Sequence, residues 1–175
     1  EDGTEQTLRG EIRANMEREL RQKLRNVTKE RTLDTLLAAH PLTIPKAMVN
    51  DEAKRLKQQT QAEMAQSGQG NAIDFPVSIF EPQAQRRVSL GLLIGEIIRG
   101  QELKVDPERV RSTVEELASS YENPQEVVEY YLGDKNQRAA IENLVLEDQV
   151  VDWVLGQVQV EDEPQTFEAL MEGGK

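Results

Sequence analysis

The stretch from Phe80 to Val105, FEPQAQRRVSLGLLIGEIIRGQELKV, decides how the rest of the chain is read. It opens as a one-sided helix, with Phe80, Ala84 and Val88 at steps of four. It then turns apolar on every side through Leu90, Leu92, Leu93, Ile94, Ile97 and Ile98. A helix apolar all round needs partners on more than one side, which predicts a buried hub. Gly91 and Gly95 lie four apart within it. A mid-helix Gly costs about 1 kcal/mol against Ala, so the pair is expected to admit a neighbouring helix closely. A membrane span is excluded, because the run from Leu90 to Ile98 is broken by Glu96 and falls far short of the ~20 residues needed.

Downstream of the hub, helix signals recur at short intervals. Gly100 closes the stretch, and Asp106-Pro107-Glu108 supplies an N-cap, a first-turn proline and an acid at the positive helix end. Val110, Val114, Leu117 and Tyr121 form the stripe of that helix. Asn123-Pro124-Gln125-Glu126 repeats the start signal for a short helix ending at Gly133. Asp134 caps a last long helix, with Ile141, Leu144, Val145, Val151, Val154 and Leu155 inward. The tail holds VQV (Val158 to Val160), an acidic EDEP and an amphipathic TFEALM.

Upstream, Pro76 and Pro82 bracket the entry to the hub, and Ser78 and Glu81 have capping-box spacing. SGQGN (Ser67 to Asn71) breaks the chain before it. A second helix runs from Pro45 to about Gln66, with Val49, Ala53, Leu56, Thr60 and Met64 on one face and an ordinary polar face of Asp51, Glu52, Lys54, Arg55 and Lys57. His40-Pro41 ends a long first helix over residues 4–38. Its apolar residues Leu8, Ile12, Met16, Leu20, Leu24 and Val27 advance almost strictly by four. At 100° per residue such a stripe winds slowly around the helix, so a narrow line of contact with a few neighbours is expected.

The fold class is therefore all-α, and without strand-rich segments the nucleotide sites of parallel sheets are excluded. The 175 residues carry 21 basic and 32 acidic side chains, a net charge of −11, which argues against nucleic acid as a partner. The charge is uneven. Residues 8–31 hold eight basic against four acidic side chains, whereas residues 115–172 hold fifteen acids against Lys135 and Arg138. Absence of Cys removes disulfides, thiol nucleophiles and Cys-based zinc sites, which fits a reducing, cytoplasmic setting. The opening EDGTEQT has neither the basic nor the apolar region of a signal peptide, and without an initiator Met it reads as part of a longer chain.

Catalytic chemistry is not encoded in any arrangement of residues. His40 is the only histidine, which rules out paired Glu-x-x-His iron ligands and His-dependent triads. Glu115-Glu116 and Glu147-Asp148 are adjacent pairs that point to different sides of a helix. Asp134-Lys135-Asn136 lacks the Gly and Glu of a calcium loop. No cofactor, no metal and no enzymatic activity are expected. What stands out is apolar surface: Leu117, Tyr121, Val127, Val128, Tyr130 and Tyr131 lie on two short helices flanking a proline turn. They either pack on the last long helix or form an exposed binding surface. A helical adaptor for one folded partner is the competing functional reading.

Several blocks together carry a resemblance: NMEREL (Asn15 to Leu20), FEPQAQRRVSLGLLIGEIIR (Phe80 to Arg99), ELKVDPERV (Glu102 to Val110), SYENPQEVVEYY (Ser120 to Tyr131), LEDQVVDWVL (Leu146 to Leu155) and TFEALM (Thr166 to Met171). The chain resembles, over essentially its whole length, the C-terminal chaperone domain of bacterial trigger factor. Pro82 departs from that pattern, which has a helix-compatible residue there. The resemblance implies an ATP-independent chaperone that holds nascent and unfolded polypeptides. It implies an elongated domain in which 1–44 form a body helix, 45–103 a first arm, 104–156 a second arm and 157–175 a tail returning to the body, the arms forming a cradle. Leu117, Tyr121, Val127 and Tyr130 match the family's second-arm client patch, and Val128 and Tyr131 adjoin it. The family's ribosome-docking domain, with its Gly-Phe-Arg signature, and its isomerase domain have no counterpart in these residues. A family linker that docks on the body would be missing too, baring an apolar surface. No nucleic acid and no membrane are implied as partners, and a homodimer is compatible with the pattern.

Overall fold

The computed structural model describes residues 5–66, 74–119, 121 and 123–172. Among them there are seven α-helices, a short 3₁₀ turn and no strand. They are α1 (Glu5–Ala39), α2 (Lys46–Gln66), the 3₁₀ turn (Val77–Phe80), α3 (Glu81–Gly100), α4 (Pro107–Ala118), α5 (Pro124–Gly133), α6 (Lys135–Gln157) and α7 (Phe167–Glu172). The all-α expectation holds. Within these residues no helix is long and apolar enough to cross a membrane. The Ser67 to Asn71 break lies outside the described residues. The chain divides into two compact units, Glu1–Thr35 with Val151–Lys175, and Leu36–Val150.

In the first unit the buried side chains are Thr32 and Leu33 of α1, Val151 and Val154 of α6, and Leu170 of α7. Thr32 satisfies its hydroxyl on the Thr28 carbonyl four residues back, at 2.7 Å, which lets a polar residue sit in a core position. The acidic tail is tied down by Glu163, which pairs with Arg31. Thr166 starts α7 by accepting the Ala169 N–H at 3.2 Å. Further up α1, the winding stripe finds little cover, and Leu8, Ile12, Met16 and Leu24 are about half exposed.

The second unit contains an antiparallel-type pair of helices, α2 and α3, whose centre is a cluster of Ala53, Leu56 and Ala84 with Val49, Val77 and Phe80 against it. Ala53 and Ala84 are both fully buried, so the small residues that allow α2 and α3 to approach are alanines. This corrects the expectation placed on Gly91 and Gly95. A Cβ added at either glycine meets nothing within 4 Å. The buried-hub expectation is corrected with it: only Ala84, Ser89 and Leu90 of α3 are buried. Leu92 is exposed, and Leu93, Ile94, Ile97 and Ile98 are half-buried. Apolar residues on every side of α3 face more directions than α2 and the 3₁₀ turn can cover.

Two local expectations change for physical reasons. Ser78 and Glu81 do not form a capping box. The chain passes from the 3₁₀ turn into α3 through Phe80, itself in the right-handed helical region, and the Glu81 N–H bonds to the Ser78 carbonyl instead. Pro82 then falls in the first turn, where a missing N–H costs nothing. Gly100 is the last residue of α3, yet the left-handed residue after it is Glu102, at φ 51°. The Leu103 N–H returns to the Ile98 carbonyl at 3.0 Å and the Glu102 N–H to the Arg99 carbonyl at 3.4 Å. Those two bonds are the Schellman pattern.

α4, α5 and α6 share a core of Val110, Val114, Ile141 and Val145, with Val105, Val128, Tyr131 and Leu132 packed against it. Asp106 caps α4, its carboxylate accepting from Glu108 N at 2.9 Å and Arg109 N at 3.5 Å. Asp134 caps α6 in the same way, accepting from Asn136 N and Gln137 N, each at 2.9 Å. Asn123 precedes Pro124 as expected but makes no side-chain cap bond.

Candidate functional site: an apolar surface on α4 and α5

Steps of four along α4 bring Val110, Val114 and Ala118 to the core. Leu117 lies one position off that stripe and is 44% exposed, and Tyr121 beyond the helix end is 57% exposed. The main chain still holds Tyr121 in place, because its N–H bonds to the Ala118 carbonyl at 3.0 Å.

On α5, Val128, Tyr131 and Leu132 follow the three-and-four spacing of one helix face, and all three pack on the shared core. Val127 and Tyr130 fall on the neighbouring face. Val127 is half-buried, and Tyr130 is 59% exposed. The six residues singled out in the sequence therefore divide. Leu117, Tyr121 and Tyr130 face solvent and Val127 borders it, whereas Val128 and Tyr131 are half-buried against the α4–α5–α6 core. The packing expectation holds for Val128 and Tyr131, while Leu117, Tyr121 and Tyr130 are left exposed. The Tyr130 and Tyr131 rings meet edge to face, with centroids 5.6 Å apart and planes at 82°.

The surroundings are acidic. Glu115, Glu116, Glu126 and Glu129 are exposed on the same two helices. Arg111 is bound to Glu115 at 2.8 Å, and that hydrogen bond, with the charge of the carboxylate, raises its guanidinium above the ordinary arginine value. No group of three His, Cys, Asp or Glu side chains among the described residues could hold a metal ion. His40 is occupied at the end of α1, its Nδ1 lying 3.1 Å from the Leu36 carbonyl. Gly91 and Gly95 lie on α3, away from any close neighbour.

A second apolar surface was less legible in the sequence. In the first unit, Ile12, Met16 and Leu20 of α1 and Phe167 of α7 line an open groove of about 690 Å³, with Arg9 and Arg13 among its walls. The signal for it was the long one-residue-wide stripe of α1.

Residues 4–156 match the family model described as "Bacterial trigger factor protein (TF) C-terminus". The chain is 42% identical over 171 residues to a trigger factor of Thioalkalivibrio sulfidiphilus, a match covering 98% of this chain and 39% of that protein. It is 39% identical over 172 residues to one of Herminiimonas arsenicoxydans, covering 98% and 38% respectively. With one of Alkalilimnicola ehrlichii it is 41% identical over 170 residues, covering 97% and 38%. The chain thus spans about two fifths of the length of the curated relatives it matches. These 175 residues are taken up by the C-terminal match, which leaves no segment of them for a prolyl isomerase domain. The chain belongs to the bacterial trigger factor C-terminus family.

Proposed function

We propose that this chain is a chaperone domain that holds apolar segments of unfolded or nascent polypeptides without ATP, and that Leu117, Tyr121, Val127 and Tyr130 are its contact residues on α4 and α5. The observation that carries this reading is the outward placement of Leu117, Tyr121 and Tyr130 on helices whose other faces are fixed in a core. Exposed aromatic and aliphatic groups on a rigid base suit binding, since the main chain beneath them has little freedom left to lose. Val128 and Tyr131 support that base from beneath. A few such contacts are individually weak and release quickly, and several on one chain gain from effective concentration, so no nucleotide is needed for release. In the same reading residues 1–44 are a body, 45–103 and 104–156 are two arms of a cradle, and 157–175 return to the body. Docking on the ribosome belongs to a part of the parent protein outside these residues, and the working compartment is the cytoplasm.

The test is suppression of aggregation of a chemically denatured client, with Tyr130→Ser and Leu117→Ser beside Tyr131→Ser. Tyr130→Ser and Leu117→Ser are expected to lower suppression several-fold while costing under about 0.5 kcal/mol of stability, as surface substitutions do. Tyr131→Ser, which opens the core, is expected to cost about 2 kcal/mol. Full suppression by a folded Leu117→Ser, Tyr130→Ser double variant would place the client surface elsewhere. A saturable one-to-one complex with a single folded protein, and no effect on unrelated clients, would replace a chaperone with an adaptor.

A further inference from the structure

The joint between α3 and α4 is short, and both its ends are fastened. The Schellman pair at Glu102 and Leu103 closes α3, and Asp106 opens α4. In a complete capping box, the residue three positions into the helix would reach back and accept the N–H of the cap residue. That position is Arg109, a cation with no acceptor to offer. The missing half comes from another helix: Gln149 of α6 places its Oε1 3.1 Å from the Asp106 N–H. The same amide donates from Nε2 to the Lys104 carbonyl at 3.1 Å. Gln149 therefore grips the main chain on both sides of Val105, while the Val105 side chain packs on the α4–α6 core. The primary amide does both at once, accepting at its oxygen and donating from its nitrogen.

We propose that Gln149 is the lock of the α3–α4 joint, holding the α2–α3 pair at a fixed angle to the α4–α6 bundle by completing the Asp106 cap from across the interface. All of these groups lie within the unit Leu36–Val150, and the assignment does not depend on the client-holding reading. Without the lock, Leu103 to Val105 become a hinge, because the Schellman bonds and the α4 cap each fix only their own helix end.

The absence of Cys from the chain makes a clean test available: Cys introduced at exposed Gln58 on α2 and Asn143 on α6 take spin labels without competition. Gln149→Met keeps the length of the side chain and removes both bonds. It is expected to broaden the distance distribution between the labels and to speed exchange of the Asp106 amide about tenfold, with core amides of Val114 and Val145 unchanged. Gln149→Glu keeps only the acceptor, so Asp106 is expected to stay protected while the Lys104 carbonyl loses its donor. An unchanged distribution and unchanged Asp106 exchange in a folded Gln149→Met overturn the lock. Should Gln149→Met fail to fold, the Glu variant decides, and loss of Asp106 protection there overturns it as well.

Discussion

The Glu52 carboxylate on α2 lies 3.4 Å from the Arg87 guanidinium on α3, with the Glu52 side chain only 12% exposed. A second arginine, Arg55, approaches the same carboxylate at 3.3 Å from within α2. The two contacts are unequal. Arg55 is a same-helix partner, 77% exposed, whereas Arg87 links two helices beside the Ala53–Ala84 cluster. Removal of Arg87 leaves a shielded carboxylate with one wet partner. Arg87→Ala is expected to cost about 1 kcal/mol and Arg55→Ala about 0.3 kcal/mol. Urea unfolding of the two variants and of the double variant with Glu52→Gln checks both values, and equal losses would show that the link between helices contributes nothing.

Gly91 and Gly95 face open space, so their helix-propensity cost is not offset by any close contact among the described residues. Gly91→Ala and Gly95→Ala are each expected to stabilise the chain by about 0.5–1 kcal/mol. Thermal unfolding measures this directly. A loss of stability at either site would mean that another surface covers this side of α3 in solution.

Glu102 adopts a left-handed conformation that costs a residue with a Cβ about 1 kcal/mol and costs Gly almost nothing. Glu102→Gly is expected to raise stability by somewhat less than that, because Gly also gains freedom in the unfolded chain. The chemical denaturation midpoint is the readout, and Gly100→Ala serves as a comparison, since a Cβ at Gly100 also meets nothing within 4 Å.

Most of the helix starts were legible because they are local: Asp106-Pro107, Asn123-Pro124 and Asp134 announce themselves within four residues. The Gly91 and Gly95 reading failed because a glycine pair in an apolar run has two causes, close packing or an uncovered face, and only the neighbours distinguish them. Ala53 and Ala84 carry the close approach without any unusual sequence signature. Glu52 looked like one more charge on a wet face, and its partner across the helix pair, Arg87, lies 35 positions later. Gln149 was invisible for a similar reason: its partners are main-chain groups 43 and 45 residues away. At the candidate site the sequence pointed to six apolar residues on two short helices, of which Leu117, Tyr121 and Tyr130 are exposed. Which of its apolar residues faced outward depended on the one-residue offset between Val127 with Tyr130 and Val128 with Tyr131.

Under the proposed client-holding function, that offset gives the Tyr130–Tyr131 pair a consequence for recognition. Tyr131 is half-buried against the core and meets the Tyr130 ring edge to face, so the outer ring has a wall on one side before anything arrives. Its rotational freedom is already reduced, and an incoming apolar group forfeits less of it on contact. Under that proposed function, two consecutive tyrosines would thus serve as an anchor and a preset hand, a division of labour that arises where a helix turns one ring inward and the neighbouring one out.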